Sequence, residues 1–311
     1  MTKRLILGPL MILLLLGLLW LDEFLSTRAA PAWWPLWFTV KGNIAPGVVM
    51  FVTMLGLAVL AARELAAMLK AKGIVSSKRM MTGAAVLGLA VSYLTPATMS
   101  GPAAVSLTES VSALCLVAAL VYFSRHKSTD GVIAGAGGVL LSLVYLGFMF
   151  GFVLAIRREH SAWVVLWVLA VTKSCDIGAY FTGKALGKHK LIPWLSPGKT
   201  WEGLAGGVAL SAIVAIVGLS LLRDAGLNPG VRTIEAIVVG AIFGLVGQVG
   251  DLLESLLKRD AGTKDSGSSI PGFGGVLDVL DSPILVAPVA YWWLSGLPWH
   301  TGWNSGSHLG G

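Results

Sequence analysis

Two pairs of acidic residues flank a polar loop near the end of an otherwise apolar chain. Asp251 and Glu254 form the first pair, and Asp278 and Asp281 form the second. On a helix, a spacing of three residues places both members of a pair on one face. Asp278 and Asp281 stand at the start of an apolar segment, where a carboxylate needs an ion-pair partner or a bound cation. Because no cysteine or histidine accompanies them, the carboxylates favour a hard cation, Mg²⁺ before zinc. A purely structural ion pair is the alternative.

The loop between the two acidic pairs contains basic residues and glycines. Lys258, Arg259 and Lys264 lie in it, and IPGFGG follows at residues 270–275. Lysines, a divalent cation and closely spaced backbone amides together neutralise and orient a polyphosphate. The composition therefore indicates a phosphate site, although the loop has neither a Walker A nor a GxGxxG pattern. A simple glycine-rich connection between membrane helices is the alternative, since small residues are common at such places.

A second polar loop, earlier in the chain, contains SPGKTWEG at residues 196–203. Its Lys199 can contact a phosphate as a point charge. The hydroxyl groups of Ser196 and Thr200 can donate hydrogen bonds to phosphate oxygens. This loop is therefore a candidate second half of the same site.

Other charged residues lie inside apolar segments without a motif around them. Lys173 and Asp176 are one helical turn apart, so an intrahelical ion pair explains them as well as a role at the site does. Glu109 and the neighbouring Arg63 and Glu64 are interpreted as structural.

The composition places both loops in a membrane protein. Of the 311 residues, 55% are hydrophobic and 13% are charged, and the mean hydropathy is +0.79. These values indicate an all-α integral membrane protein. A membrane helix needs about 20 apolar residues, and this criterion predicts nine transmembrane helices. They cover residues 5–21, 46–69, 82–95, 105–123, 132–156, 162–182, 204–222, 233–250 and 276–296, with 82–95 the shortest.

The basic residues predict the orientation, because short cytoplasmic loops carry an excess of lysine and arginine. With the N-terminus in the cytoplasm, most of the 23 lysines and arginines fall on the cytoplasmic side, and only Arg157 and Arg158 oppose this arrangement. The C-terminus is then outside, and both polar loops face the cytoplasm. Residues 1–160 are expected to form helices one to five, and residues 161–311 helices six to nine with the two loops.

The net charge of +7 is dispersed over short loops between apolar segments. This pattern excludes a clustered nucleic-acid surface and favours anionic lipid headgroups and phosphates as partners. The two cysteines, Cys115 and Cys175, lie within apolar segments, which predicts buried free thiols and no disulfide.

Between residues 176 and 283 the polar residues follow a definite order. They are Asp176, Ala179, Tyr180, Ser196, Pro197, Lys199 to Gly203, Ser255, Lys258, Arg259, Lys264, Asp265, Pro271, Gly272, Gly274, Gly275, Asp278, Asp281 and Ser282. This order and spacing resemble the signature of the phosphatidate cytidylyltransferase family, membrane enzymes that make CDP-diacylglycerol. Two positions depart from it: Phe273 stands where the family usually has histidine, and Val279 where it usually has arginine.

The resemblance implies the reaction of CTP with phosphatidate to give CDP-diacylglycerol and pyrophosphate, for phospholipid synthesis. The attacking phosphate oxygen is already ionised near neutral pH, so no strong general base is needed and the carboxylates are free to hold metal. The expected metal ligands are Asp251, Asp278 and Asp281, with Mg²⁺ as the ion. The resemblance leaves room for a second cation.

Roles for the remaining residues follow from the same resemblance. The expected catalytic residues are Asp251, Asp278, Lys258, Lys264 and Asp281. The expected substrate-binding residues are Ser196, Lys199, Thr200, Glu202, Arg259, Asp265, Gly274 and Gly275. The expected partners are CTP, phosphatidate and membrane lipid, without nucleic acid, and a homodimer is left open. The expected location is the bacterial cytoplasmic (inner) membrane, with the site facing the cytoplasm.

Two other functions remain as alternatives. A related membrane enzyme could use a different lipid, either as a nucleotidyltransferase or as a lipid kinase. A cation-coupled transporter also uses intramembrane acids and glycine-rich breaks. The sequence has no evident inverted repeat and its acids gather at one membrane face, which disfavours the transporter.

Overall fold

The computed structural model describes residues 2–95, 101–125, 129–272 and 274–295, with the backbone alone for residues 2–6. Phe273 and residues 296–311 lie outside the described residues. The helices are α1 (Thr2–Ser26), α2 (Val48–Ala71), α3 (Lys78–Leu94), α4 (Gly101–Ser124), α5 (Val132–Leu141), α6 (Phe150–Glu159), α7 (Ala162–Leu186), α8 (Trp201–Asp224), α9 (Thr233–Asp260) and α10 (Leu277–Leu294). A π-helical segment, Ser142–Met149, joins α5 to α6.

The described residues contain eight helices that are long and apolar enough to cross a membrane, the α5–α6 unit Val132–Glu159 counting as one. The prediction of a helical integral membrane protein is therefore confirmed. The predicted number of nine is not, because α3 has 17 residues and is shorter than the eight spans. Helix α9 continues ten residues past 250, where the predicted membrane span ends, so Asp251, Glu254 and Lys258 belong to a helix and not to a loop.

Sheet is confined to two short hairpins among the described residues. Strands β1 (Thr39–Val40) and β2 (Asn43–Ile44) pair antiparallel between α1 and α2. Strands β3 (Lys190–Ile192) and β4 (Ser196–Thr200) pair antiparallel between α7 and α8. The Thr200 hydroxyl accepts a hydrogen bond of 3.1 Å from the backbone N–H of Gly203 and so caps α8. The second hairpin thereby fixes where α8 begins.

Helices α7 and α8 make the most extensive helix pair. A Cβ at Gly178 would lie 2.9 Å from the carbonyl oxygen of Gly206 and from Cα of Gly207. Glycine at 178 therefore permits the close backbone approach that drives helix association in lipid. Both cysteines are buried and free, as the sequence predicted.

A buried ion pair holds together the end of the bundle at which α1 ends and α2 begins. The Arg157 guanidinium donates to Asp22 at 2.6 Å and contacts Glu23 at 3.0 Å. The Asp22 carboxylate also accepts from the backbone N–H groups of Gly47 and Val49, at 3.0 and 2.9 Å, and so caps α2. Arg157 therefore neutralises a local acid. This pairing explains why Arg157 does not follow the predicted excess of basic residues in the cytoplasmic loops.

We expect Arg157→Met to lower stability by about 3–5 kcal/mol, because it leaves the buried Asp22 carboxylate without a cation. Thermal unfolding of the detergent-purified protein measures the loss. Arg28→Met is the matched control, since Arg28 is exposed at the same end of the bundle. Equal melting temperatures for the two variants would contradict the prediction.

Candidate active site

Three carboxylates converge where α9 ends and α10 begins. One ligand oxygen from each of Asp251, Glu254 and Asp281 lies within 4.8 Å of the other two. Glu254 and Asp281 are buried and Asp251 is half-buried. The i, i+3 spacing of Asp251 and Glu254 puts both on one face of α9, and α10 supplies Asp281 opposite them. We call this group the carboxylate cluster.

A lysine contacts each member of the carboxylate cluster, and each lysine comes from a different element. Lys199 of β4 pairs with Asp251, and Lys258 of α9 pairs with Glu254. Lys173 of α7 lies 3.1 Å from Asp281. The Lys199 contact joins the polar loop at residues 196–203 to α9.

Asp278 lies outside the carboxylate cluster and holds the polar loop. Its Oδ1 is 2.7 Å from the Lys258 ammonium. Its Oδ2 accepts from the Ser266 backbone N–H and hydroxyl, at 3.0 and 2.8 Å, and from the Gly275 N–H at 2.7 Å. Metal ligation by Asp278 is an expectation of the sequence alone, and its contacts in the structure are to Lys258 and the polar loop. The structure places Glu254, which the sequence assignment omitted, beside Asp251 and Asp281.

Glu64 of α2 organises the same loop from a distant part of the chain. Its carboxylate accepts from the Val276 and Leu277 backbone N–H groups, both at 3.0 Å, at the start of α10. It also accepts from the hydroxyls of Ser266 and Ser269, at 3.3 and 2.5 Å. Glu64 therefore caps α10 and anchors the polar loop, in keeping with the structural role expected for it.

We expect Gly275→Ala to disrupt the site, because an added Cβ would lie closer than 3.0 Å to both Ser266 Oγ and the Glu64 carboxylate. Overpacking of this kind costs about 1–3 kcal/mol. Thermal unfolding and substrate binding would both report the change. Gly56→Ala on α2 is the control, since a Cβ there meets nothing within 4 Å. A Gly275→Ala protein indistinguishable from this control would refute the packing argument.

Lys173 and Asp176 belong to this site as well as to one helix. The Lys173 ammonium lies 3.5 Å from Asp176 and 3.4 Å from Ser282 Oγ. Asp176 accepts a hydrogen bond of 2.6 Å from the Gln248 side chain on α9. The intrahelical ion pair is present, and Lys173 also reaches Asp281 across the helix interface. The predicted intrahelical ion pair is therefore confirmed, and a role of the two residues at the site stays a prediction.

Charge counting favours a divalent cation at this place. When all are ionised, the carboxylates exceed the lysines by two charges; the groups are Asp176, Asp251, Glu254, Asp278 and Asp281, against Lys173, Lys199 and Lys258. Glu254 Oε1 is buried and has no hydrogen-bond partner among the described residues. An all-oxygen donor set with this charge fits a hard cation such as Mg²⁺.

The other predicted site residues take different positions. Glu202 accepts from the backbone N–H of Lys188 at 3.1 Å and contacts the His189 ring at 2.6 Å, so it fixes the hairpin. Thr200 is buried as the cap of α8, and Ser196 is half-buried in β4. Arg259 on the last turn of α9 and the loop residues Lys264 and Asp265 are exposed. Gly274 pairs with Ile270 through two backbone hydrogen bonds, and Gly275 bonds Asp278.

An apolar cavity of about 750 Å³ opens beside these polar groups. Its polar end is formed by Lys173, Asp176 and Asp278, and Val279 lies in the same wall. Its apolar walls come from α1, α2, α6, α7 and α10. A long apolar molecule with a charged end matches this division.

Tyr145 was not singled out from the sequence. It is buried on the π-helical segment, and its hydroxyl has no hydrogen-bond partner among the described residues. Single turns of π-helix often occur at functional sites. The only sign of Tyr145 in the sequence is that a single tyrosine stands within the apolar stretch 132–156.

Known proteins resemble the chain over much of its length. The model of the cytidylyltransferase family matches residues 26–296. The uncharacterized protein YnbB of Escherichia coli (strain K12) is 43% identical over 136 residues, 44% of each chain. The phosphatidate cytidylyltransferase of Bacillus subtilis (strain 168) is 37% identical over 161 residues, which are 51% of this chain and 58% of the relative. That of Staphylococcus haemolyticus (strain JCSC1435) is 42% identical over 150 residues, 48% and 55% of the two chains. The chain thus spans about half the length of the curated relatives it matches.

Proposed function

The chain belongs to the cytidylyltransferase family, and from that premise we propose that it makes CDP-diacylglycerol and pyrophosphate from CTP and phosphatidate. The observation that carries the proposal is that a charged region and an apolar region lie side by side. A cluster of carboxylates and lysines adjoins the polar end of a 750 Å³ apolar cavity. A nucleoside triphosphate requires the first region and a diacyl lipid requires the second.

The reaction exchanges one phosphoanhydride bond for another. An oxygen of the phosphatidate phosphate attacks the α-phosphorus of CTP and forms the new bond. The bond from the α-phosphorus to its bridging oxygen breaks, and pyrophosphate leaves with that oxygen. Because the nucleophile is ionised beforehand, the protein needs to position and neutralise the reactants and does not need a strong base.

Asp251, Glu254 and Asp281 are the residues proposed to hold Mg²⁺. A bound magnesium ion supplies charge neutralisation between two anionic reactants and at the departing pyrophosphate. Asp278 is proposed to hold Lys258 and the polar loop in place, and the family resemblance leaves room for a second cation. Each of these assignments rests on oxygen chemistry and proximity.

Basic residues at the mouth of the site are proposed to receive the triphosphate. Lys199 and Lys258 contact members of the carboxylate cluster. Arg259 is exposed on the last turn of α9, and Lys264 is exposed in the polar loop that follows. Lysine and arginine offset the charge of phosphate oxygens by charge-assisted hydrogen bonds. CTP would therefore enter from the aqueous side while the lipid enters from the bilayer.

The site is proposed to face the cytoplasm of a bacterial cell, in the inner membrane. The curated relatives described above are bacterial, and the end of the bundle with the carboxylate cluster carries the lysine-rich loops expected inside. Helices from residues 1–160 would contribute mainly cavity walls, and residues 161–311 most of the charged groups.

A turnover assay tests the proposal directly. Purified protein in mixed micelles is given labelled CTP, phosphatidate and Mg²⁺. We expect CDP-diacylglycerol and pyrophosphate in equal amounts. A nucleoside diphosphate with a phosphorylated lipid would instead identify a lipid kinase. Absence of turnover together with ion-dependent uptake into vesicles would favour a transporter and overturn the proposal.

A further inference from the structure

The described residues in the wall of the apolar cavity include a single cationic side chain. Among the described residues that line it, Lys173 is the basic one, and Asp176 and Asp278 are acidic. Lys173 lies near the middle of α7, inside a membrane span. A lysine at that depth is costly unless it is paired or functional. Among the described residues, Lys173 is therefore the cation in the cavity wall that can bind an anionic headgroup.

The Lys173 side chain is 37% exposed, and it belongs to the cavity wall. Its contacts to Asp281, Asp176 and Ser282 range from 3.1 to 3.5 Å. Lys258, by comparison, is 14% exposed and lies between two carboxylates. Lys173 can therefore donate a hydrogen bond from its ammonium group to a ligand without leaving its place, whereas Lys258 is enclosed by protein.

Position 279 strengthens the case for Lys173. The residue after Asp278 is Val279, which lines the same cavity and carries no charge. Lys173, on α7, one of the helices that α10 contacts, is the cation at the polar end of the cavity among the described residues.

Lys173 also lies beside the carboxylate cluster. Its partner Asp281 belongs to the carboxylate cluster, in which ligand oxygens lie within 4.8 Å of one another. An anionic group held by Lys173 would therefore lie at the boundary between the apolar cavity and the cluster. Its hydrocarbon part would occupy the apolar walls.

We propose that Lys173 binds the phosphomonoester headgroup of the lipid substrate and makes the cavity selective for ionised lipids over neutral ones. The proposal rests on the proposed function for the identity of the lipid. The binding itself requires neither CTP nor turnover. Lys173 is thus assigned as a substrate-binding residue that sequence motifs did not identify.

Binding of brominated lipids tests the assignment without the reaction. Bromine on the acyl chains quenches tryptophan fluorescence, so brominated phosphatidate and brominated diacylglycerol can be compared in detergent without CTP. We expect wild-type protein to prefer phosphatidate. Lys173→Met should lose about tenfold or more of that preference, the usual scale for a charged hydrogen bond. Lys173→Arg should retain most of it.

Lys184→Met is the matched control, because Lys184 is exposed on the same helix and should keep wild-type preference. Steady-state kinetics add a second measurement: Lys173→Met should raise KM for phosphatidate about tenfold and leave KM for CTP within about twofold. Wild-type preference and wild-type KM in Lys173→Met would overturn the assignment and leave the proposed function intact. If phosphatidate binding depended on Lys173 but no CDP-diacylglycerol were formed, the assignment of Lys173 would stand and the proposed function would fall.

Removal of the ammonium leaves Asp281 unpaired, so Lys173→Met can fail to fold. Lys173→Met combined with Asp281→Asn removes both charges together and is used for lipid binding alone. Loss of the phosphatidate preference in this folded double variant supports the assignment when Asp281→Asn alone retains the preference. Retention of the preference in the double variant refutes it.

Discussion

Asp281→Asn is expected to reduce Mg²⁺-dependent turnover by about 10³-fold or more. Asparagine keeps the shape of the side chain but removes a negative charge from the carboxylate cluster. A metal ion at a phosphoryl-transfer centre stabilises the transition state by several kcal/mol. Each decrease of about 1.36 kcal/mol in the activation free energy raises the rate tenfold. Initial rates as a function of Mg²⁺ concentration measure the effect, and Mn²⁺ binding followed by electron paramagnetic resonance measures the site without substrate.

Comparison of two further variants decides which carboxylates hold the ion. Glu254→Gln should raise the half-saturating Mg²⁺ concentration as Asp281→Asn does, because both residues belong to the carboxylate cluster. Asp278→Asn should slow turnover without that shift, because Asp278 holds Lys258 and the polar loop. Asp260→Asn is the control, since Asp260 is 55% exposed and pairs with Lys72. A shift in Mg²⁺ dependence for Asp278→Asn, with none for Glu254→Gln, would restore the motif-based ligand set.

Lys258→Met is expected to have the largest effect on stability of any single lysine replacement in the site. The ammonium lies between Glu254 and Asp278, whose side chains are 0% and 11% exposed. Removal of one partner from a buried pair costs about 3–5 kcal/mol, because a charge is left uncompensated. Thermal unfolding in detergent measures the loss, and Lys258→Arg should recover part of it.

The control for this prediction is Lys72→Met. Lys72 and Asp260 form an ion pair with side chains 49% and 55% exposed, and exposed pairs contribute about 0–1 kcal/mol. Millimolar Mg²⁺ should raise the melting temperature of Lys258→Met more than that of wild type, since a cation can replace the lost charge. Equal stability of Lys258→Met and Lys72→Met would show that the buried contacts have little energetic weight.

The family was predictable from the sequence because its motifs are local. Within 176–283 the order of lysines, glycines and acids can be read without tertiary structure, and the family match over residues 26–296 confirms that identification. Helical spans were predictable for a similar reason, since apolar length alone determines whether a helix can cross lipid. The predicted membrane span ends at 250, whereas helix α9 continues to Asp260. Polar residues that pair across helices do not terminate a helix, and hydropathy cannot detect the pairing.

The sequence by itself determined the membrane helices, the free cysteines, the two polar loops and the kind of chemistry their residues favour. The tertiary structure decided which charges meet: Glu64 bonds Ser266, 202 residues away, and Lys173 reaches Asp281 across 108 residues. It placed Glu254 in the carboxylate cluster and Asp278 in contact with the polar loop. Motif order records residue types along the chain, whereas ion pairing depends on side-chain direction and helix packing in three dimensions. In an apolar bundle each buried charge must find a partner, and packing determines which partner it has.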